Sequence, residues 1–279
     1  MTAPTSSGAG PLPASLVLAG AGKMGGAMLD GWLAAGLADG AATVLDPNPS
    51  EPIRRLAETG RIRIAGADAS SPPDVLVLGI KPQSLEEAAS LLGAHAGPDT
   101  LVISILAGKT VADLRRALPA VSAVVRAMPN LPASIGRGAT GAYASPETSA
   151  AQRDMAARLL ACNGVVEWVG DEGLIDAVTA LSGSGPAYVF HLVEAMAAAG
   201  EAAGLEAGLA QRLARATVAG AGALLDASEL PAAQLRENVT SKGGTTAAAL
   251  EVLMAQDGLP ALMTRAVAAA KRRAGELSG

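Results

Sequence analysis

The chain has 279 residues, half of them hydrophobic and only 2% aromatic, with a formal net charge of -5. That length suits two domains, and that apolar content fills a core built from Ala, Val, Leu, Ile and Met. The acidic balance argues against a nucleic-acid partner, the single cysteine Cys162 excludes an intrachain disulfide, and no apolar stretch is long enough to span a bilayer.

Residues 1–14 carry no charged side chain and no long apolar run. They read as a loose tail, neither signal nor transit peptide, and the expected location is the cytoplasm. From residue 15 short apolar runs alternate with helical segments. Strands are expected at 15–19, 42–45, 75–80, 101–106, 121–125 and 165–169, with helices at 27–35 and around 53–58. Strands alternating with helices imply an α/β, doubly wound, mainly parallel sheet over 15–171. Such strands are covered on both faces, so 75–80 is apolar throughout. Residues 172–279 lose the strand pattern and read as an all-α domain. Helices are expected from Pro186 to about Ala203, over 207–227, from Pro231, after Gly243-Gly244, and from Pro260 to an end at the basic cluster Lys271, Arg272, Arg273.

The first strand runs into Gly20-Ala21-Gly22-Lys23-Met24-Gly25, and a helix follows. In this pattern the first glycine allows the tight turn. The second lets backbone approach a pyrophosphate, and the third lets helix pack on strand. The helix N-terminus offers its N–H groups to the anion, so a strand–loop–helix of this kind points to a dinucleotide. Asp46 closes the second strand twenty-one positions after Gly25. Three readings of it stand side by side. It accepts a ribose 2′-OH and favours NADH; or it caps the Asp-Pro turn; or the neighbours Asn48, Ser50, Arg54 and Arg55 receive the 2′-phosphate of NADPH.

Further motifs stand at strand ends, where open α/β sheets place ligands. They are Gly79-Ile80-Lys81-Pro82, Ser104-Ile105-Leu106-Ala107-Gly108 and Arg126-Ala127-Met128-Pro129-Asn130. Two more fall in the helical half, Leu181-Ser182-Gly183-Ser184-Gly185-Pro186-Ala187-Tyr188 and Val239-Thr240-Ser241-Lys242-Gly243-Gly244-Thr245-Thr246. Together these motifs resemble the pyrroline-5-carboxylate reductases, over nearly the whole chain. The resemblance implies a Rossmann domain followed by an all-α dimerisation domain. It implies reduction of the cyclic imine Δ1-pyrroline-5-carboxylate to L-proline with NADPH or NADH, the last step of proline biosynthesis. It also implies a homodimer with interlocked helical domains, assembling further in cases such as a decamer. The active site then lies between one subunit's cofactor and its partner's helical domain.

By the same resemblance Thr246 hydrogen-bonds the ring nitrogen, Lys81-Pro82 and Ala107-Gly108 line the nicotinamide beside Ile80, and Asn238 and Glu172 stand near cofactor and substrate. The residues themselves suit this. Ser241, Gly243, Gly244 and Thr245 are small, precede a helix, and leave N–H and hydroxyl donors for a carboxylate. Lys242 departs from the family, which often has proline there. It either adds charge beside that carboxylate site or points to solvent, where most lysines lie.

Two other classes compete. β-Hydroxyacid dehydrogenases pair similar domains, and their helical half resembles G-x-G-x-x-x-K, with lysine as acid/base. Counted from Gly183 and Gly185, that place holds Val189, which cannot move a proton. A non-enzymatic dinucleotide sensor has no need of the 241–246 turn. Within the reductase reading, a six-membered imine is the alternative substrate. His191 is expected on a helix and His95 on a surface segment; two histidines and one cysteine form no metal-ligand pattern.

Overall fold

The computed structural model describes residues 10–65 and 71–278. One compact unit is the helical stretch Ser184–Ala270; the other joins the chain before it to the segment from Lys271 onward. Of the tail expected over 1–14, residues 1–9 lie outside the described residues, whereas Leu12 packs on the core and Pro13 is buried.

The sheet of the first unit contains β1 (Leu16–Ala19), β2 (Ala42–Leu45), β3 (Arg63–Ile64), β4 (Val75–Leu78), β5 (Leu101–Ser104), β6 (Val124–Met128), β7 (Gly138–Ala144) and β8 (Gly164–Trp168). These eight strands lie in the order β3-β2-β1-β4-β5-β6-β7-β8, all neighbours parallel except β6 and β7. Helices α1 (Lys23–Ala34), α2 (Glu51–Glu58), α3 (Leu85–Ala94), α4 (Val111–Ala117), α5 (Ala150–Ala161) and α6 (Leu174–Val178) belong to the same unit.

The strands β1, β4 and β5 are buried along their whole length because each face has its own helices. Leu16, Leu18, Val75, Val77, Leu101 and Ile103 meet Met28, Leu29 and Trp32 of α1 and Leu159 and Leu160 of α5. The alternate residues Val17, Ala19, Leu76, Leu78 and Val102 meet Leu85 and Leu92 of α3 and Leu114 of α4. This division follows from the two-residue period of a strand. The Trp32 indole N–H donates to the Leu159 carbonyl at 2.9 Å, which ties α1 to α5 inside the first layer.

The structure corrects several expectations. The strand expected at 121–125 is β6, three residues further on, because Arg126 is buried within it rather than ending it. Strand β7 was not expected, since its sequence GATGAYA carries no aliphatic run; β3, two residues long, is too short to show a period. Helix α1 starts at Lys23, not Ala27, because the Gly26 N–H already donates to Gly22 O at 2.7 Å. His95 is not on the surface but 2% exposed at the end of α3, where its backbone N–H donates to Leu92 O.

The second unit is built from α7 (Gly185–Ala202), α8 (Ala207–Ala227), α9 (Ala232–Asn238) and α10 (Thr245–Leu253), and α11 (Leu259–Ser278) starts within it. The basic cluster Lys271–Arg273 therefore lies inside α11 and not at its end. Helices α7 and α8 form an antiparallel hairpin. Gly204 turns the chain at φ +102°, and Glu206 caps α8 by accepting from the Gly208 and Leu209 N–H groups, each at 2.8 Å. Among the described residues no helix is long and apolar enough to cross a membrane.

Candidate active site

After β1 the chain adds β2 and β3 on one side, then returns to place β4 on the other. The carboxyl ends of β1 and β4 thus flank a topological switch point, the place where an open α/β sheet leaves a crevice. The Gly20–Gly25 loop leaves β1 there, and Gly79-Ile80-Lys81-Pro82 leaves β4. The Gly79 N–H donates to Ala19 O at 2.7 Å, so the two loops start side by side.

Each glycine of the loop has a distinct steric reason. Gly20 sits at φ +88°, and a Cβ on it would lie 2.7 Å from the Gly79 backbone. A Cβ on Gly25 would run into the Gly20 carbonyl oxygen. Around Gly22 nothing lies within 4 Å of the added Cβ, so no protein contact requires a glycine there. Gly22 is also the N-cap of α1, with no side-chain cap on the first-turn N–H groups around Lys23 and Met24. An open glycine before uncapped donors fits an anionic pyrophosphate. Asp46 faces the same loop: its Oδ2 accepts the Ala21 N–H and its Oδ1 the Asn48 N–H, both at 2.9 Å. Arg54 and Arg55 both pair with Glu51 on the exposed first turn of α2.

Beyond β4, Ile80 packs against the second core cluster, and Lys81 is the exposed residue before a short 3-10 turn, Pro82–Ser84. Beyond β5, Gly108 adopts φ +71°, and a Cβ there would lie 2.5 Å from Leu277 O in the last turn of α11. Ala107 beside it is exposed.

Glu172 is engaged by the fold. Its Oε1 accepts the Val111 N–H at 2.7 Å, at the start of α4, and Arg126 Nη1 at 2.8 Å. Sequence reasoning quoted the 126–130 motif without roles for its residues. Arg126 is the buried partner of Glu172. Asn130 donates from Nδ2 to Ser182 O at 3.0 Å and accepts the Ala139 N–H at 2.9 Å. It therefore joins the end of β6 to β7 and to a π-helical turn, Thr179–Gly183, which overlaps the start of the 181–188 motif. The signal was a charged residue inside an apolar run and an amide two residues past its end.

The remaining expected residues lie in the second unit. Asn238 ends α9 and accepts from Gln234 Nε2 at 3.1 Å. Between α9 and α10, Gly243 takes φ +71°, and a Cβ on Gly244 would strike the Ser241 hydroxyl. The Gly244 N–H closes the turn onto Ser241 O at 3.0 Å. Gly244 is also the N-cap of α10 and supplies no side chain, which leaves the N–H groups of the first turn, from Thr245 and Thr246 on, for an outside acceptor. Lys242 is exposed beside them. Among the described residues no cluster of three metal-binding side chains occurs.

Known families match the N-terminal and C-terminal parts of the chain separately. Residues 172–277 match the family model for pyrroline-5-carboxylate reductase dimerisation, and residues 15–108 match the one described as NADP oxidoreductase coenzyme F420-dependent. The pyrroline-5-carboxylate reductase of Pseudomonas aeruginosa is 41% identical over 261 residues, which cover 93% of this chain and 95% of the relative. That of Synechocystis is 41% identical over 80% of this chain and 82% of its own. Among solved structures, the Coxiella burnetii pyrroline-5-carboxylate reductase superposes with a TM-score of 0.84 at 34% identity, over 96% of this chain and 99% of the other. The Plasmodium falciparum enzyme with NADP bound gives 0.75 at 25% identity, over 97% of this chain and 100% of the other. With relatives of this identity matching nearly end to end, and with a switch-point dinucleotide loop ahead of a dimerisation region, the chain belongs to the pyrroline-5-carboxylate reductase family.

Proposed function

We propose that the chain reduces 1-pyrroline-5-carboxylate to L-proline, the last step of proline biosynthesis, in the cytoplasm. The observation that carries the reading is the pairing in one chain of two uncapped helix starts, each preceded by glycine. The loop at Gly20–Gly25 suits a pyrophosphate and the turn at Ser241–Thr246 suits a carboxylate. NADPH or NADH, when bound, supplies the hydride that reduces the imine carbon. Ile80, Lys81, Pro82, Ala107 and Gly108 line its nicotinamide side, and Asn238 contributes from the helical half.

The chain's own work is positioning. Ser241, Gly243, Gly244 and Thr245 bind the substrate carboxylate through N–H and hydroxyl donors. The imine accepts hydride readily only when protonated, and the amine product keeps that proton. The Thr246 hydroxyl accepts the iminium N–H and orients the ring without competing for its proton. Glu172 approaches the substrate through the oxygen that Arg126 and Val111 leave free. The site is completed in a homodimer whose helical domains interlock, and dimers associate further, a decamer being one such assembly.

The test is to follow oxidation of NADPH and of NADH with 1-pyrroline-5-carboxylate, for the wild type and Thr246→Val. The wild type is expected to turn over, and the variant to lose kcat/KM by about ten- to a hundredfold, the worth of a hydrogen bond to a charged group. A folded protein that binds both cofactors and oxidises neither overturns the substrate assignment and directs the assay to the six-membered imine.

A further inference from the structure

We propose that Asp46 is a positioning residue for the dinucleotide loop and not the group that selects between NADH and NADPH. This rests on the dinucleotide reading of Gly20–Gly25 and is independent of which imine is reduced. In a doubly wound sheet the acid that ends the second strand ordinarily faces the cofactor and takes the ribose hydroxyls, which favours NADH. Here each carboxylate oxygen already holds a backbone donor, Oδ2 the Ala21 N–H and Oδ1 the Asn48 N–H, both at 2.9 Å. The carboxylate thereby bridges the loop that leaves β1 and the loop that leaves β2.

The glycine loop has few other restraints. Gly22 has open space around its Cβ position, and α1 has no side-chain cap. Ala21 is buried, so without Asp46 its N–H is left without a partner while a glycine-containing turn regains its freedom. The loop serves the pyrophosphate, which NADH and NADPH share. Loosening it must therefore weaken both cofactors alike.

Calorimetric binding of NADPH and of NADH, with no imine present, tests this on Asp46→Ala, Asp46→Asn and the control Asp74→Ala. Asp74 Oδ2 accepts the Ser15 N–H at 3.0 Å just ahead of β1, an exposed carboxylate-to-backbone bond remote from the loop. Asp46→Ala is expected to raise both dissociation constants about tenfold, with their ratio kept within about twofold. Asp46→Asn keeps an oxygen for one of the two donors and is expected to fall between wild type and Asp46→Ala, with the same ratio. Asp74→Ala is expected to lower the melting temperature and leave both constants unchanged. Selective loss of NADH, a gain for NADPH, unchanged constants in Asp46→Ala, or an equal loss in Asp74→Ala would each overturn the proposal. Should Asp46→Ala fail to fold, the ratio measured on Asp46→Asn decides. Because no imine is used, failure of the reductase assignment leaves these readings intact.

Discussion

Gly22 and Gly25 are three residues apart in one loop, and the structure requires glycine at the second but not the first. Gly22 has φ -69° and ψ -162°, which any residue adopts, and open space around its Cβ position. Gly22→Ala is therefore expected to melt with the wild type while its affinity for NADPH falls at least tenfold, because the methyl group occupies the pyrophosphate's approach. Gly25→Ala places its methyl on the Gly20 carbonyl and is expected to lower the melting temperature itself. Paired thermal melts and binding titrations check this; a destabilised Gly22→Ala would move that glycine's role from ligand to turn. Spacing alone made both residues candidates, since the pattern is written in sequence. It left Asp46 among three readings, because a strand-end carboxylate looks the same whether it faces a ribose or a backbone N–H.

At the scale of elements, β6 shows what apolar pattern conceals. Val124, Val125, Ala127 and Met128 surround Arg126, a charge that ends an apolar run on paper but lies 5% exposed in the sheet. It can be there because Glu172, from the segment that leads to α6, meets its guanidinium. That partner is forty-six positions away and invisible to any local window. Strand β7 was illegible for the opposite reason. Its glycines are packing devices, a Cβ on Gly141 colliding with Val178, so it carries no hydrophobic period. The buried strands were legible as continuous apolar runs and the helical hairpin by its apolar residues at helical spacing. Glu172→Gln keeps an oxygen for the Val111 N–H but strands the Arg126 charge, and is expected to cost about 3 kcal/mol of stability. Denaturant melts read that cost. A rise in KM for the imine with unchanged stability would instead make Glu172 a substrate contact and little else.

A second ion pair links α4 to the segment ahead of α5 and carries a pH signature. Arg115 donates to both carboxylate oxygens of Glu147, and this hydrogen bond holds the Glu147 pKa down from 4.5 to about 2. A pKa lowered in the folded state means that the pair's contribution is fully present above pH 4.5 and is lost as pH falls toward 2. The difference in melting temperature between wild type and Glu147→Gln is expected to be constant above that window and to vanish at its lower end. A difference that persists at the acid end would mean that the pair does not stabilise through charge. Exposure keeps the effect small.

For the whole molecule, the second unit cannot be accounted for by its own chain. Among its described residues only Ala197, Ala210 and Ala214 are buried hydrophobics, while Phe190 is 55%, Leu213 49% and Leu224 52% exposed. A helical hairpin with three small residues as its core buries too little apolar surface to offset the entropy of ordering it. Helical spacing could not reveal this, because leucine reads the same whether its neighbour belongs to its own chain or to another; only the family resemblance pointed to a homodimer. The proposed homodimer supplies an occupant, a second copy, in keeping with the match of residues 172–277 to a dimerisation family model. Stability then depends on protomer concentration, and the melting temperature is expected to rise as the protein is concentrated. Phe190→Asp puts an unpaired charge into that interface and is expected to weaken the dimer at least a hundredfold, about 3 kcal/mol. Sedimentation over a concentration series reads the shift, and loss of imine reduction should track loss of dimer, since the proposed site draws on both subunits. A Phe190→Asp protein that stays dimeric would place this residue outside the interface. A melting temperature independent of concentration would remove the dimer as the source of the unit's stability and leave its apolar side chains to be covered within the chain.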